Sequence, residues 1–270
     1  MRTFKRLAYP IWTEHKARFI EQYLKCFVYV TRSGTYIDGF AGPQWYDRPE
    51  AWAAKLVLDS RPPLLKHFHL CEKNKRKLKM LERLRKNAES IVVSSRRYRR
   101  DIAVCPGDFN ANVDTILKVG TIAAVEPTFC LLDQRTFECH WNTVKKLAAY
   151  KPAENYKIEL FYFLATSWLP RSLSAVGREK AEKWWGSASW RELRRLSTND
   201  IKDRFVNRFK SELNYKYVMA YPIYERKGSK RVMYFMIHAS DHDEAPALMV
   251  RAYNGAVRAL PKPQPKLWSD

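Results

Sequence analysis

A chain of 270 residues that is 46% hydrophobic can bury a sizeable core, as one large domain or a domain with an insertion, and is not the composition of a disordered tail. Forty-nine Lys and Arg against 28 Asp and Glu give a net charge of +21 and a pI near 9.8, a field that attracts polyanions, nucleic acid first among them. No apolar stretch approaches the roughly 20 residues that span a bilayer, no signal-peptide core is present, and Cys26, Cys71, Cys105, Cys130 and Cys139 form no Cys-x-x-Cys pair and have no His at zinc-ligand distance, so the expectation is a cytoplasmic protein with reduced thiols, no membrane and no metal site.

Trp12 to Cys26 has helical spacing, with Ile11, Phe19, Ile20, Tyr23 and Leu24 on one side and Glu14, Lys16, Arg18 and Lys25 elsewhere. Short apolar runs then alternate with amphipathic stretches. The pattern predicts a strand over 35 to 38, a helix over about 49 to 59, a strand over 67 to 72, a helix over about 74 to 87, a strand over 101 to 105 and a helix over about 109 to 118. A strand over 129 to 133, a helix over about 139 to 149 and a strand over 157 to 164 complete the alternation, which argues for a mostly parallel sheet with helices on both faces. Residues about 166 to 212, with Trp184-Trp185-Gly186 and Trp190, read as a helical insertion over that sheet. Lys216 to Tyr224 and Arg231 to Ala239 are β-rich runs around a glycine-containing turn and predict a closing antiparallel hairpin. One domain over 1–260 and a loose tail over 261–270 follow.

Ligands of open α/β sheets collect outside the carboxyl ends of the strands, and acidic residues stand at three of those ends. Tyr36-Ile37 runs into Asp38-Gly39-Phe40-Ala41-Gly42-Pro43, where Gly39 and Gly42, lacking Cβ atoms, would let the chain turn sharply and a ligand approach its amides. Asp38 would accept from a cationic amino group or a water. Glu72, at the next strand end, would take both hydroxyls of a ribose, or instead cap the basic helix that follows. Asp108, after Cys105-Pro106-Gly107, would accept from an exocyclic adenine amine while Phe109 packs on the ring, or instead serve as the N-cap of its own helix.

This order resembles that of a class I S-adenosylmethionine-dependent methyltransferase and, more narrowly, the three-Cys-motif partner family (TcmP). The resemblance covers residues about 12 to 257 and rests on His15-Lys16, the Tyr36 to Pro43 segment, Leu131-Leu132-Asp133, Trp185-Gly186, Tyr217-Val218 and Tyr234-Phe235. It implies a Rossmann-like sheet of seven strands, S-adenosylmethionine as cofactor, and partnership with a separate three-cysteine protein of the radical S-adenosylmethionine type. It also implies that Asp38, Gly39, Ala41 and Gly42 face the methionine end of the cofactor, Glu72 its ribose and Asp108 its adenine. Gln44 stands where such families usually continue with another glycine. Asp133-Gln134-Arg135-Thr136 stands where amino-methyltransferases carry an Asp- or Asn-Pro-Pro-aromatic motif that orients an amine, a role that Asp133 would fill as the catalytic residue.

Residues 73 to 100 hold 12 basic and 2 acidic residues, about half of the net excess. Lys73, Lys75, Arg76 and Lys77, with Arg96, Arg97, Arg99 and Arg100, are the expected phosphate contacts, joined by Arg135; the plainer reading is a solvated helix face. Trp184, Trp185 and Trp190 would stack an extruded base or anchor the insertion to its sheet, the commoner role. Two functions follow: a methyltransferase acting on nucleic acid, or a catalytically degenerate module of the same fold that binds nucleic acid or the partner, a reading supported by Gln44 and the missing proline after Asp133. No histidine–nucleophile constellation supports a hydrolase or nuclease.

Overall fold

The structure, a computed structural model, describes residues 11–90, 99–118, 120, 122–225 and 230–258. The expected tail over 261–270 lies outside them. The chain opens with α1 (Ile11–Thr31), β1 (Thr35–Asp38), a short 3-10 turn, α2 (Ala53–Asp59), β2 (His67–Glu72), α3 (Lys75–Glu89) and β3 (Asp101–Pro106). It continues through α4 (Phe109–Lys118), β4 (Thr128–Leu132), α5 (Trp141–Ala148) and β5 (Glu159–Ala165). After α6 (Leu169–Ala175), α7 (Arg178–Trp185), a 3-10 helix and α8 (Thr198–Ser211), it ends with β6 (Tyr217–Tyr224), β7 (Val232–Ser240) and α9 (Ala245–Tyr253).

The seven strands form one sheet in the order β3-β2-β1-β4-β5-β7-β6. Strands β1 to β5 are parallel and β7 runs antiparallel to both β5 and β6, so the mostly parallel seven-stranded sheet with a C-terminal antiparallel hairpin is present as expected. The chain winds outward from β1 through β2 to β3, then returns to lay β4 on the other side of β1. That reversal opens a crevice above the carboxyl ends of β1 and β4.

The twofold period of each strand divides the core between two layers. Tyr36, Phe68, Leu70, Phe129, Leu131, Phe161 and Phe163 face α1, α2, α3 and α9, while Ile37, Cys71, Cys130, Leu132, Leu160 and Tyr162 face α4, α5 and the insertion. Helix α1 runs five residues beyond its expected end, because Phe27 and Val28 continue its buried stripe. Helix α9 lacked a sequence signal: it is short, carries a proline in its first turn, and is held by packing on α1. No helix among the described residues is long and apolar enough to cross a membrane.

The insertion is fastened to α5 through Arg208 of α8. Its guanidinium lies between two indoles, 3.9 Å from the ring centre of Trp141 and 4.1 Å from that of Trp185, and binds both carboxylate oxygens of Glu212. Helix α7 stops at Gly186, whose φ of +88° is open to glycine, and any Cβ there would meet Trp141 at 2.7 Å. Trp184, Trp185 and Trp190 are all buried, so their rings pack the insertion and offer no face to an extruded base.

Candidate functional site

A polar pocket lies over the switch in strand order, and five carboxylates line it: Asp108 after β3, Glu72 ending β2, Asp38 ending β1, Asp133 after β4, and Glu138 farther along the loop after β4. Neighbouring strands are about 4.8 Å apart, so the row of acids at the strand ends extends over roughly 14 Å. Hydrogen bonds beyond the strand ends hold the floor. Gly39 N–H donates to Leu131 O at 3.0 Å, Ala41 N–H to Cys71 O at 2.8 Å, and Gly107 N–H to Glu72 O at 3.0 Å. The Trp52 indole donates to Ala41 O at 2.6 Å and closes one wall.

Asp38 is the buried member. It accepts from the Tyr36 hydroxyl at 2.9 Å and the Phe40 N–H at 3.0 Å. Burial pushes its carboxyl up to about 7; the Phe40 N–H and the Tyr36 hydroxyl oppose that rise, and the charges of Asp133 and Glu72 add to it.

The two glycines of the β1 loop act through packing, not through an unusual turn, since neither adopts a positive φ. A Cβ on Gly39 would meet the Phe109 ring at 2.7 Å, and one on Gly42 would meet Glu72 Oε2 at 1.9 Å. The space their missing side chains leave is filled by the protein: by Phe109, which is buried against it, and by the Glu72 carboxylate.

Glu72 Oε1 accepts from Asn74 N–H at 2.7 Å, and Asn74, not Glu72, caps α3 by accepting from the N–H groups of Arg76 and Lys77. Asp108 caps α4: Oδ1 accepts from both the backbone and the side-chain N–H of Asn110, each at 2.8 Å. Both contacts fall on one oxygen, so its other oxygen takes no part in the cap.

Asp133 departs most from expectation. Its Oδ1 lies 2.7 Å from the ammonium of Lys16, which is 5% exposed and sits 4.6 Å from the ring centre of Phe163 and 5.5 Å from that of Tyr234. The sequence reading put Lys16 off the apolar face of α1. Its spacing of four from Ile20 and seven from Tyr23 places it on that face, and a lysine in such a stripe was the signal overlooked. The missing proline is compensated by Gln134, 1% exposed, whose Oε1 accepts from the N–H groups of Glu138 at 3.1 Å and Cys139 at 2.9 Å. Burial raises the Glu138 carboxyl, but the Arg135 N–H and the Lys73 ammonium, 2.9 Å away, outweigh it and hold Glu138 below its ordinary value.

The basic residues divide. Lys73, Lys77 and Arg135 line the pocket, where burial draws the Lys77 ammonium down against the pull of Glu72. Lys73 is engaged with Glu138, and Arg100 donates to Leu58 O at the end of α2, with Phe68 beneath it. Lys75, Arg76 and Arg99 are exposed, Arg76 stacking on Tyr46 at 4.1 Å. Arg96 and Arg97 lie outside the described residues. Exposed Lys79, Arg83 and Lys86 on α3 extend the same charged face.

No protein-family model matches the sequence, and no curated protein matches it. Among solved structures, M. jannaschii TYW2 in complex with AdoMet is similar at 11% identity and a TM-score of 0.42, over 88% of this chain and 78% of that one. The methyltransferase domain of bacterial CtHen1-C is similar at 11% identity and a TM-score of 0.45, over 82% of this chain and 98% of that one.

Proposed function

We propose that the protein is an S-adenosylmethionine-dependent methyltransferase acting on nucleic acid, working with a separate three-cysteine radical S-adenosylmethionine protein as its resemblance to the three-Cys-motif partner family implies. The observation that carries the reading is the row Asp108, Glu72, Asp38 and Asp133 around one pocket at the ends of four adjacent parallel strands. The donor set fits the cofactor. Asp108 has an oxygen outside its cap for the adenine amine, and Glu72 faces the pocket at the next strand for the ribose hydroxyls. Asp38, ionised, would hold the methionyl ammonium. When bound, the cofactor supplies an electrophilic methyl group. Asp133, fixed by Lys16, then accepts from a base's exocyclic amine and turns its lone pair toward that methyl, an orienting role of the kind that lowers barriers strongly.

The exposed face of α3, with Arg99, would hold phosphates. Calorimetric titration with S-adenosylmethionine tests the cofactor reading: saturable binding that Glu72→Ala or Asp38→Ala abolishes is expected, with labelled methyl entering DNA or RNA. Absence of binding at millimolar cofactor removes it. Polyanion affinity should fall with a log–log salt slope of about −0.9 per phosphate contacted, and Lys75→Ala should reduce that slope by about one contact.

A second reading is favoured by one contact, the Lys16 ammonium on Asp133 Oδ1, which leaves a single carboxylate oxygen for an amine. On that reading the chain is a degenerate module that binds nucleic acid or the three-cysteine partner. Polyanion binding indifferent to Glu72→Ala, with no methyl transfer, is its signature.

A further inference from the structure

Lys16 is a buried cation at the end of the pocket away from the ribose and adenine sites. Its ammonium carries three donors, and Asp133 Oδ1 is its one hydrogen-bond acceptor among the described residues. The ring faces of Phe163 and Tyr234 cover part of the remainder, and the side chain lines the pocket. A ring face stabilises a cation but accepts no conventional hydrogen bond, so donors remain for a ligand.

A methionyl group is a zwitterion: with its ammonium on Asp38, its carboxylate needs a cation nearby. The other cations of the pocket are placed for different work. Lys73 is tied to Glu138 at 2.9 Å, Lys77 stands beside Glu72 at the ribose end, and Arg135 is exposed. Lys16 reaches across from α1 to the β4 end and is the cation already held among the β1, β4 and β5 elements. We propose that Lys16 binds the α-carboxylate of the cofactor's methionyl group, sharing its ammonium between that carboxylate and Asp133. The methionyl carboxylate and Asp133 would then share one cation. This inference rests on the S-adenosylmethionine reading above.

The test is calorimetric titration of the full chain with S-adenosylmethionine and with its decarboxylated form, which differ in that carboxylate alone. Wild type should prefer S-adenosylmethionine by about 10- to 100-fold, the range of a charge-assisted hydrogen bond. Lys16→Met should bind both forms alike. A preference retained in Lys16→Met, or equal binding of the two forms by wild type, overturns the assignment. Should Lys16→Met bind neither form, Lys16→Gln, neutral yet able to hydrogen-bond Asp133, decides on the same criterion. Wild type that binds neither form defeats the cofactor reading itself, a result distinct from the loss of preference alone.

Discussion

Gly42 and Glu72 share one space: a Cβ on the glycine would lie 1.9 Å from Oε2 of the carboxylate. Gly42→Ala therefore drives the partly exposed Glu72 out of position and also presses on Lys77 Cβ at 2.9 Å, so α3 must give as well. S-adenosylmethionine affinity should fall about tenfold or more, read by calorimetry, with a lowered urea midpoint. Gly39→Ala should act on stability first. Its Cβ meets the buried ring of Phe109 at 2.7 Å, and such overpacking costs about 1–3 kcal/mol of stability.

Asp38 makes the protein pH-sensitive. Its carboxyl titrates at about 7 in the fold against an ordinary 3.8, because burial disfavours its charge. Between those values the folded chain holds a proton that the unfolded chain has released, so stability falls as pH rises from about 4 to about 7 and levels off above. Asp38→Asn removes that fall, and its advantage over wild type in urea should grow with pH to on the order of 4 kcal/mol at pH 8. An advantage that does not change with pH would rule out the assignment. Affinity for S-adenosylmethionine should move oppositely in wild type, rising to a plateau above about pH 7 as Asp38 ionises to receive the ammonium.

Gln134 holds the loop that carries Asp133. Gln134→Ala strands the N–H groups of Glu138 and Cys139, both of which its amide oxygen satisfies. Each orphaned donor costs about 1–3 kcal/mol, so a loss of roughly 2–6 kcal/mol is expected in denaturant melts. Faster hydrogen exchange at 138 and 139, with exchange on β6 unchanged, would locate the effect in the loop.

Gly186→Ala tests how the insertion is fastened. The substitution forces a side chain into φ +88° and against Trp141 at 2.7 Å, next to the Arg208 sandwich. A cost of about 2–4 kcal/mol is expected from left-handed strain and overpacking together. Cofactor affinity measured below the melting transition should stay at the wild-type value, since the insertion contributes no residue to the pocket.

Much of the fold was legible because its signals are local. The continuous apolar run Phe129 to Leu132, the helical stripe from Phe19 to Leu24 and the glycine-containing turn before Arg231 are each the pattern of one element. The tryptophans, by contrast, show composition without environment: whether Trp184 packs or stacks depends on what covers it, and the helices that cover it come from α7 and α8.

By itself the sequence determined most of the elements, α9 excepted, and that Asp38, Glu72 and Asp108 stand at successive strand ends, because apolar runs and the residues that follow them are properties of neighbours along the chain. Only the tertiary structure decided what each acid faces. Asp133 meets Lys16 across 117 residues, and Gly42 meets Glu72 from a different strand end. Those pairings depend on β4 returning to the side of β1 and on the face that α1 lays against the sheet. Crossovers and helix packing are settled by burying apolar surface over the whole domain, and no short stretch of sequence carries that information.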